Sequence, residues 1–133
     1  MNEKNTEALY VKFPQLYKQH LLTPEESSMH WGFQCDNGWF EIIYDISVQL
    51  QKITSIQPIE ATEVKQKWGS LRYRVNMDSP EIDKLIKHAE DRARVTCEAC
   101  GARSVTRYIC ARWRIVLCAN CAKKGRDCVP EKS

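Results

Sequence analysis

Apolar and polar positions follow two rhythms along this chain, one helical and one extended. Over residues 38–53, Trp39, Ile42, Ile43, Ile46, Leu50 and Ile53 recur at helical spacing, and Phe40 and Val48 widen the stripe. Glu41, Asp45, Gln49 and Lys52 fall on the opposite side. This predicts the main core helix, with Asp36 or Asn37 as its cap. Residues 79–95 predict a second helix. Ser79 caps it, Pro80 takes the first position, and Glu81 and Asp83 fill the first turn. Ile82, Leu85, Ile86, Ala89 and Ala93 form its stripe, and Arg92 and Arg94 sit where the helix dipole favours positive charge. His88 borders that stripe and is read as a boundary residue; with His20 and His30 it makes no metal-like spacing.

Between these helices the period changes to two. Leu71, Tyr73, Val75 and Met77 alternate with Arg72, Arg74 and Asn76, so residues 59–77 predict a hairpin turning at Trp68-Gly69. A two-residue loop pairs Val64 with Tyr73, Lys65 with Arg72 and Glu63 with Arg74. Lys65, Lys67, Arg72 and Arg74 then share one side, offset by Glu63. Like charges directly opposite are unfavourable, so this face is either an anion site or, as the more ordinary reading, a solvated sheet face.

Residues 1–30 are less patterned. Ala8, Leu9, Val11, Phe13, Leu16 and Tyr17 give partial helical periodicity, interrupted at Pro14. One helix ending near Phe13 and another across Gln15–Leu22 fit this pattern. Thr23-Pro24-Glu25-Glu26 reads as a helix start or a turn, and His30-Trp31-Gly32-Phe33 as extended chain or loop. Trp31 and Phe33 form an interface if they are not buried.

The strongest chemical signal is C-terminal. Cys97-Glu98-Ala99-Cys100 and Cys118-Ala119-Asn120-Cys121 are two Cys-x-x-Cys pairs separated by 17 residues. Each pair turns two sulfurs toward one point, and two pairs complete a tetrahedral four-thiolate site. One structural zinc ion is the expected occupant, held by Cys97, Cys100, Cys118 and Cys121; iron is the main rival. Disulfides would need an oxidising compartment, and Met1–Asn5 lacks the apolar segment of an export signal. Cys35, Cys110 and Cys128 are left over, as small buried hydrophobes or ordinary thiols. Cys110 or Cys128 could replace one ligand, though neither lies in a tight pair. Gly101 suits the turn past the second thiolate. Thr106–Cys110 and Trp113–Leu117 predict two short strands joined near Ala111-Arg112, with Ala122-Lys123-Lys124 beginning a helix. Knuckle, hairpin and helix together make a treble clef; a ribbon of two knuckles is the alternative. The tail from Gly125, short and holding Pro130, is expected to fray.

Charge sharpens the division. From Arg92 to Arg126 nine basic residues face one acid, Glu98, a net +8. Residues 1–91 carry ten basic and fourteen acidic side chains, a net −4. The expectation is an α+β protein: an acidic domain over 1–95, with helices packed on a small antiparallel hairpin, followed by a basic four-Cys module over 96–133. No apolar run approaches a membrane span, so a soluble, cytoplasmic chain is expected.

The Cys-x2-Cys-x17-Cys-x2-Cys spacing, with Cys100-Gly101-Ala102 and Leu117-Cys118, resembles GATA-type zinc fingers over about 25 residues. Those fingers place an asparagine one position before Asn120, and their tryptophan-arginine segment has only a shifted counterpart in Trp113-Arg114. The resemblance implies a treble clef and, as an alternative function, DNA-binding regulation. A broader resemblance spans residues 38–122. Gly38-Trp39, then Lys65-Gln66-Lys67-Trp68-Gly69-Ser70-Leu71-Arg72-Tyr73, then His88-Ala89-Glu90 leading into a four-Cys module, is similar to small proteins encoded by bacteriophages and prophages. It implies an accessory protein of a mobile element in a bacterial host's cytoplasm, and supplies no catalytic residues.

The expected function is non-enzymatic. Four thiolates leave zinc no open position for water, and no Gly-x-Ser-x-Gly, His-Glu-x-x-His or Walker-type loop occurs. Arg103, Arg107, Arg112, Arg114, Lys123, Lys124 and Arg126, interleaved with Trp113 and Tyr108, favour phosphates and unpaired bases; Lys65, Lys67, Arg72 and Arg74 extend that surface. At least one of the two aromatics is expected in the core. The partner is nucleic acid or a host protein or nucleoprotein complex, as for an inhibitor of host defence such as an anti-CRISPR protein. No small-molecule substrate is expected.

Overall fold

The computed structural model describes residues 1–54, 58–125 and 127–131. Helices α1 (Glu3–Lys12), α2 (Phe40–Thr54) and α3 (Pro80–Arg94) accompany the hairpin of β1 (Ala61–Lys67) and β2 (Ser70–Val75). A second unit follows: β3 (Thr106–Cys110), β4 (Trp113–Leu117), α4 (Ala119–Lys124) and β5 (Cys128–Pro130), with sheet order β4-β3-β5. The fold is therefore α+β with two small antiparallel sheets.

The expected helices form where their caps allow. Ser79 Oγ accepts from the Ile82 amide at 3.1 Å, and Asp36 receives the Asn37 amide ahead of a short 3-10 turn, Asn37–Trp39, that leads into α2. The hairpin has the expected register, Val64↔Tyr73, Lys65↔Arg72 and Glu63↔Arg74, closed by Trp68 and Gly69. A bulge lies between Ala61 and Glu63. The outer edge of β1 is partly covered, since the Gln34 amide donates to Val64 and the Gln66 amide to Gln34.

Two expectations change. The second N-terminal helix shrinks to a 3-10 turn at Lys18–Leu21, because Pro14 diverts the chain through turns after α1. Within the tail, Cys128–Pro130 is ordered rather than frayed: it forms β5, which pairs with β3, and a disulfide joins Cys110 to Cys128. Thr23-Pro24-Glu25-Glu26 is a turn, with the Thr23 amide and hydroxyl both on the Glu26 carboxylate. Phe33 is buried while Trp31 is exposed.

Two apolar clusters result. The larger gathers Trp39, Ile42, Ile43 and Leu50 of the α2 segment with Val64, Leu71 and Tyr73 of the hairpin, Ile82 of α3 and the N-terminal Leu9, Phe13, Leu16 and Tyr17. At its centre the Tyr17 hydroxyl bonds those of Ser47 and Tyr73, so three buried polar groups satisfy one another. Burial pushes both phenols above their ordinary range. The smaller cluster is Cys97, Cys110, Leu117, Cys118 and Ala122.

The clusters are docked through backbone. The Trp39 indole N–H donates to the Thr96 carbonyl at 3.0 Å, and the Gly38 amide to the Glu98 carbonyl at 2.6 Å. Gly38 permits this approach: a Cβ there would lie 2.1 Å from the Cys97 oxygen and 2.4 Å from that of Glu98. Glu98, the lone acid of the basic stretch, is buried at this seam and receives the Asp36 amide at 3.0 Å. Burial pushes its carboxyl up to about 7, against the Asp36 N–H that stabilises the anion.

Candidate metal centre and basic cleft

The four paired cysteines converge. Cys97 lies after α3, Cys100 three residues on, and Cys118 and Cys121 at the start of α4. Their sulfurs all lie within 4.8 Å of one another. Cys100 Sγ and Cys118 Sγ are 3.7 Å apart, close to the ~3.8 Å edge of a sulfur tetrahedron around a metal at ~2.3 Å. The first pair turns through Gly101, at φ +86°, whose amide donates to the Cys97 carbonyl at 2.8 Å. The second pair sits on a helix start, where Cys118 Sγ accepts from the Cys121 amide at 3.4 Å. That hydrogen bond holds the Cys118 thiol down at about 7, while burial pushes Cys121 up to about 12 and Cys100 is also raised; a bound metal would favour the thiolate at each. The group has the donor set and compactness of a four-thiolate metal site. Cys110 and Cys128, bonded to each other, take no part in it.

A second feature lies where the two hairpins meet. Both close with two-residue turns whose central residues have positive φ: Trp68 (58°) and Gly69 (83°), then Ala111 (49°) and Arg112 (89°). Such turns match strand twist but normally take glycine or asparagine. A tryptophan and an arginine held there are strained relative to those residues. The tips bound an open cleft of about 400 Å³. Lys65, Lys67 and Trp68 line it from one side, and Arg112, Trp113 and Arg114 from the other. Trp68 is 61 % and Trp113 69 % exposed.

The tips are tied to each other. The Gln66 amide side chain donates to the Arg114 carbonyl, and Arg107 donates to the Trp68 carbonyl. The Arg114 guanidinium lies over the Trp68 ring. Glu131, just beyond β5, receives Arg107 at 3.0 Å and Arg114 at 2.9 Å, and these cations hold its carboxyl below its ordinary range. Lys67 and Arg112 meet no carboxylate among the described residues. The cleft therefore keeps uncompensated positive charge beside two exposed indoles.

Of the residues the sequence singles out for binding, the cleft brings together Lys65, Lys67, Arg112, Trp113 and Arg114. Arg72 and Arg74 continue the same hairpin face, opposite Lys65 and Glu63. Arg107 is engaged with Glu131 and Trp68. Arg103 lines a different recess, beside Cys100 and Gly101. Lys123 and Lys124 end α4, outside the cleft lining, and Arg126 lies outside the described residues. Tyr108 packs on the smaller apolar cluster. Trp68 is the site residue that sequence reasoning passed over. Its signal was a large aromatic at a predicted hairpin tip, where no core exists to bury it.

The chain matches no known family model, no curated protein and no solved structure. No helix among the described residues is long and apolar enough to cross a membrane.

Proposed function

We propose that this chain is a non-enzymatic, zinc-stabilised protein that binds nucleic acid through the cleft between its two hairpin tips. The observation that carries this reading is the meeting of Lys65, Lys67, Arg112 and Arg114 around the exposed Trp68 and Trp113. Cations neutralise phosphates and release counterions, and exposed indoles offer π-faces to bases. Trp113, 69 % exposed, and the part of Trp68 that Arg114 leaves uncovered stand beside Lys67 and Arg112, which meet no carboxylate among the described residues.

Zinc is the ion that best fits the centre, because four thiolates in a compact, closed set suit a structural role. Knuckle, β3–β4 hairpin and α4, with Cys118 and Cys121 at the helix start, support a treble-clef reading of the module. The zinc would hold β3 and β4 in place, and so the second tip, without touching the ligand. Four sulfur ligands leave it no position for water, which supports the non-enzymatic reading. An accessory role in a mobile element, with the nucleic acid held free or inside a host nucleoprotein complex, belongs to this proposal on the sequence resemblance over residues 38–122 alone.

The test is fluorescence anisotropy of zinc-loaded protein with mixed-sequence DNA and RNA across a salt series. Binding that weakens steeply with salt, and is lost in Lys65→Glu/Lys67→Glu, is expected. Absence of binding at low salt would overturn the reading.

A further inference from the structure

We propose that the cleft recognises unpaired nucleobases, so that the ligand is single-stranded rather than duplex nucleic acid. This rests on the nucleic-acid reading above and narrows it.

The first argument is what the aromatics offer. Trp68 of the first hairpin and Trp113 of the second both line one recess and are more than half exposed. The Arg114 guanidinium covers one face of Trp68, with its carbon 5.1 Å from the ring centroid. That contact braces the indole at the turn and leaves its remaining surface open. A base in a duplex has both faces stacked on its neighbours and presents only edges in the grooves. Indoles can therefore bind a base by stacking only when the base is free of the helix.

The second argument is size and shape. The recess holds about 400 Å³, within the roughly 300–1,000 Å³ of sites that enclose a small molecule. It is bounded by two tight turns. No helix among the described residues lines it: α4 is six residues long and its basic residues Lys123 and Lys124 lie outside the lining. Readers of duplex DNA insert a helix or a free β-ribbon into the major groove; here the two hairpin tips are tied to each other by the Gln66–Arg114 and Arg107–Trp68 hydrogen bonds.

The third argument is the path of charge. Lys65 and Lys67 lie on the hairpin face that continues to Arg72 and Arg74 through the pairing Lys65↔Arg72 and Glu63↔Arg74; Glu63 meets Lys65 and Arg74 at 4.0 Å each, and Lys67 and Arg72 meet no carboxylate among the described residues. A strand whose base enters the cleft can lay its phosphates along this row. The opposite wall supplies Arg112, which meets no carboxylate among the described residues. Stacking side chains flanked by a cationic track are the two parts that binding of unpaired strands requires.

The experiment compares four labelled probes on the zinc-loaded full chain: a short mixed-sequence single strand of DNA, the same in RNA, the corresponding duplex, and an abasic strand with the same phosphate backbone. Single strands are expected to bind roughly tenfold or more tighter than the duplex and the abasic strand, and to quench tryptophan fluorescence, since each stacked base contributes ~1–3 kcal/mol. Trp113→Ala, at an exposed position, is expected to remove that preference, bringing single-strand affinity down to that of the abasic strand. Trp68→Asn, which suits the turn better, is expected to do the same in part. Duplex binding as tight as single-strand binding would overturn this inference and leave the broader reading standing. So would an abasic strand that binds as well as the base-bearing one. Absence of binding to every probe would overturn both.

Discussion

The Arg114 guanidinium lies 5.1 Å from the centre of the Trp68 indole. One residue belongs to β4, beside the four-cysteine centre; the other is the tip of the hairpin on the larger core. Their contact, with the Gln66–Arg114 and Arg107–Trp68 hydrogen bonds, fixes the two tips relative to each other. The cleft is thus a product of docking, and anything that separates the two clusters should dismantle it.

Gly38→Ala tests the docking. Its Cβ would meet the Cys97 and Glu98 carbonyl oxygens at 2.1 and 2.4 Å, and these are backbone atoms of the metal-binding knuckle that cannot swing away. A loss of at least ~1–3 kcal/mol is expected, the usual cost of overpacking. Thermal unfolding should show a lowered midpoint with metal content unchanged. An unchanged midpoint would mean the knuckle has room to retreat.

Chelation should act on one cluster and not the other. Among the described residues only Cys97, Cys110, Leu117, Cys118 and Ala122 form the buried cluster around the centre, far too little to order the sheet alone. Chelation is expected to abolish hydrogen-exchange protection in β3 and β4 while α2, α3 and the β1–β2 hairpin stay protected. Protection of β3 and β4 that survives chelation would show that metal is not what holds them.

Tyr17→Phe should cost about 1–3 kcal/mol, since the Tyr73 hydroxyl, buried and bonded to Tyr17 at 2.8 Å, loses that partner. The same network sets an alkaline limit. Burial raises the folded-state pKa of both phenols above 10.0, so folding favours the neutral form. Their contribution is complete below the unfolded value, about 10, and is lost as pH rises above it. Denaturant titrations from pH 9 to 11 should show stability falling in the native chain, and falling less in Tyr17→Phe.

These elements were unevenly legible. The register Val64↔Tyr73 followed from strict alternation in β2 and a glycine after Trp68, because a period of two admits only one face to the core. The cysteine set followed from ligand spacing alone. The third strand did not: Cys128–Pro130 is three residues long, ends in proline and has no alternation to read. Its pairing comes from β3 and from Glu131, which meets Arg107 and Arg114 only once the sheet exists. The cleft was half legible. Its basic residues were marked by charge, but the meeting of two turns 43 positions apart, Trp68 and Ala111, depends on tertiary docking that no local pattern records.

Glu131→Gln should strengthen nucleic-acid binding. The carboxylate now neutralises Arg107 and Arg114 at the edge of the cleft, and an acid near incoming phosphates opposes them. Affinity at low salt is expected to rise severalfold, with the gain disappearing as salt screens the charges. Unchanged affinity would place the ligand away from β5.

The most direct measurement is amide chemical-shift mapping of the zinc-loaded protein titrated with a short mixed-sequence single strand. The account predicts that the largest shifts fall at residues 65–68 and 111–114, with the indole N–H signals of Trp68 and Trp113 among them. Shifts concentrated instead at Arg103 and at Lys123 and Lys124, with the two tips unmoved, would contradict it.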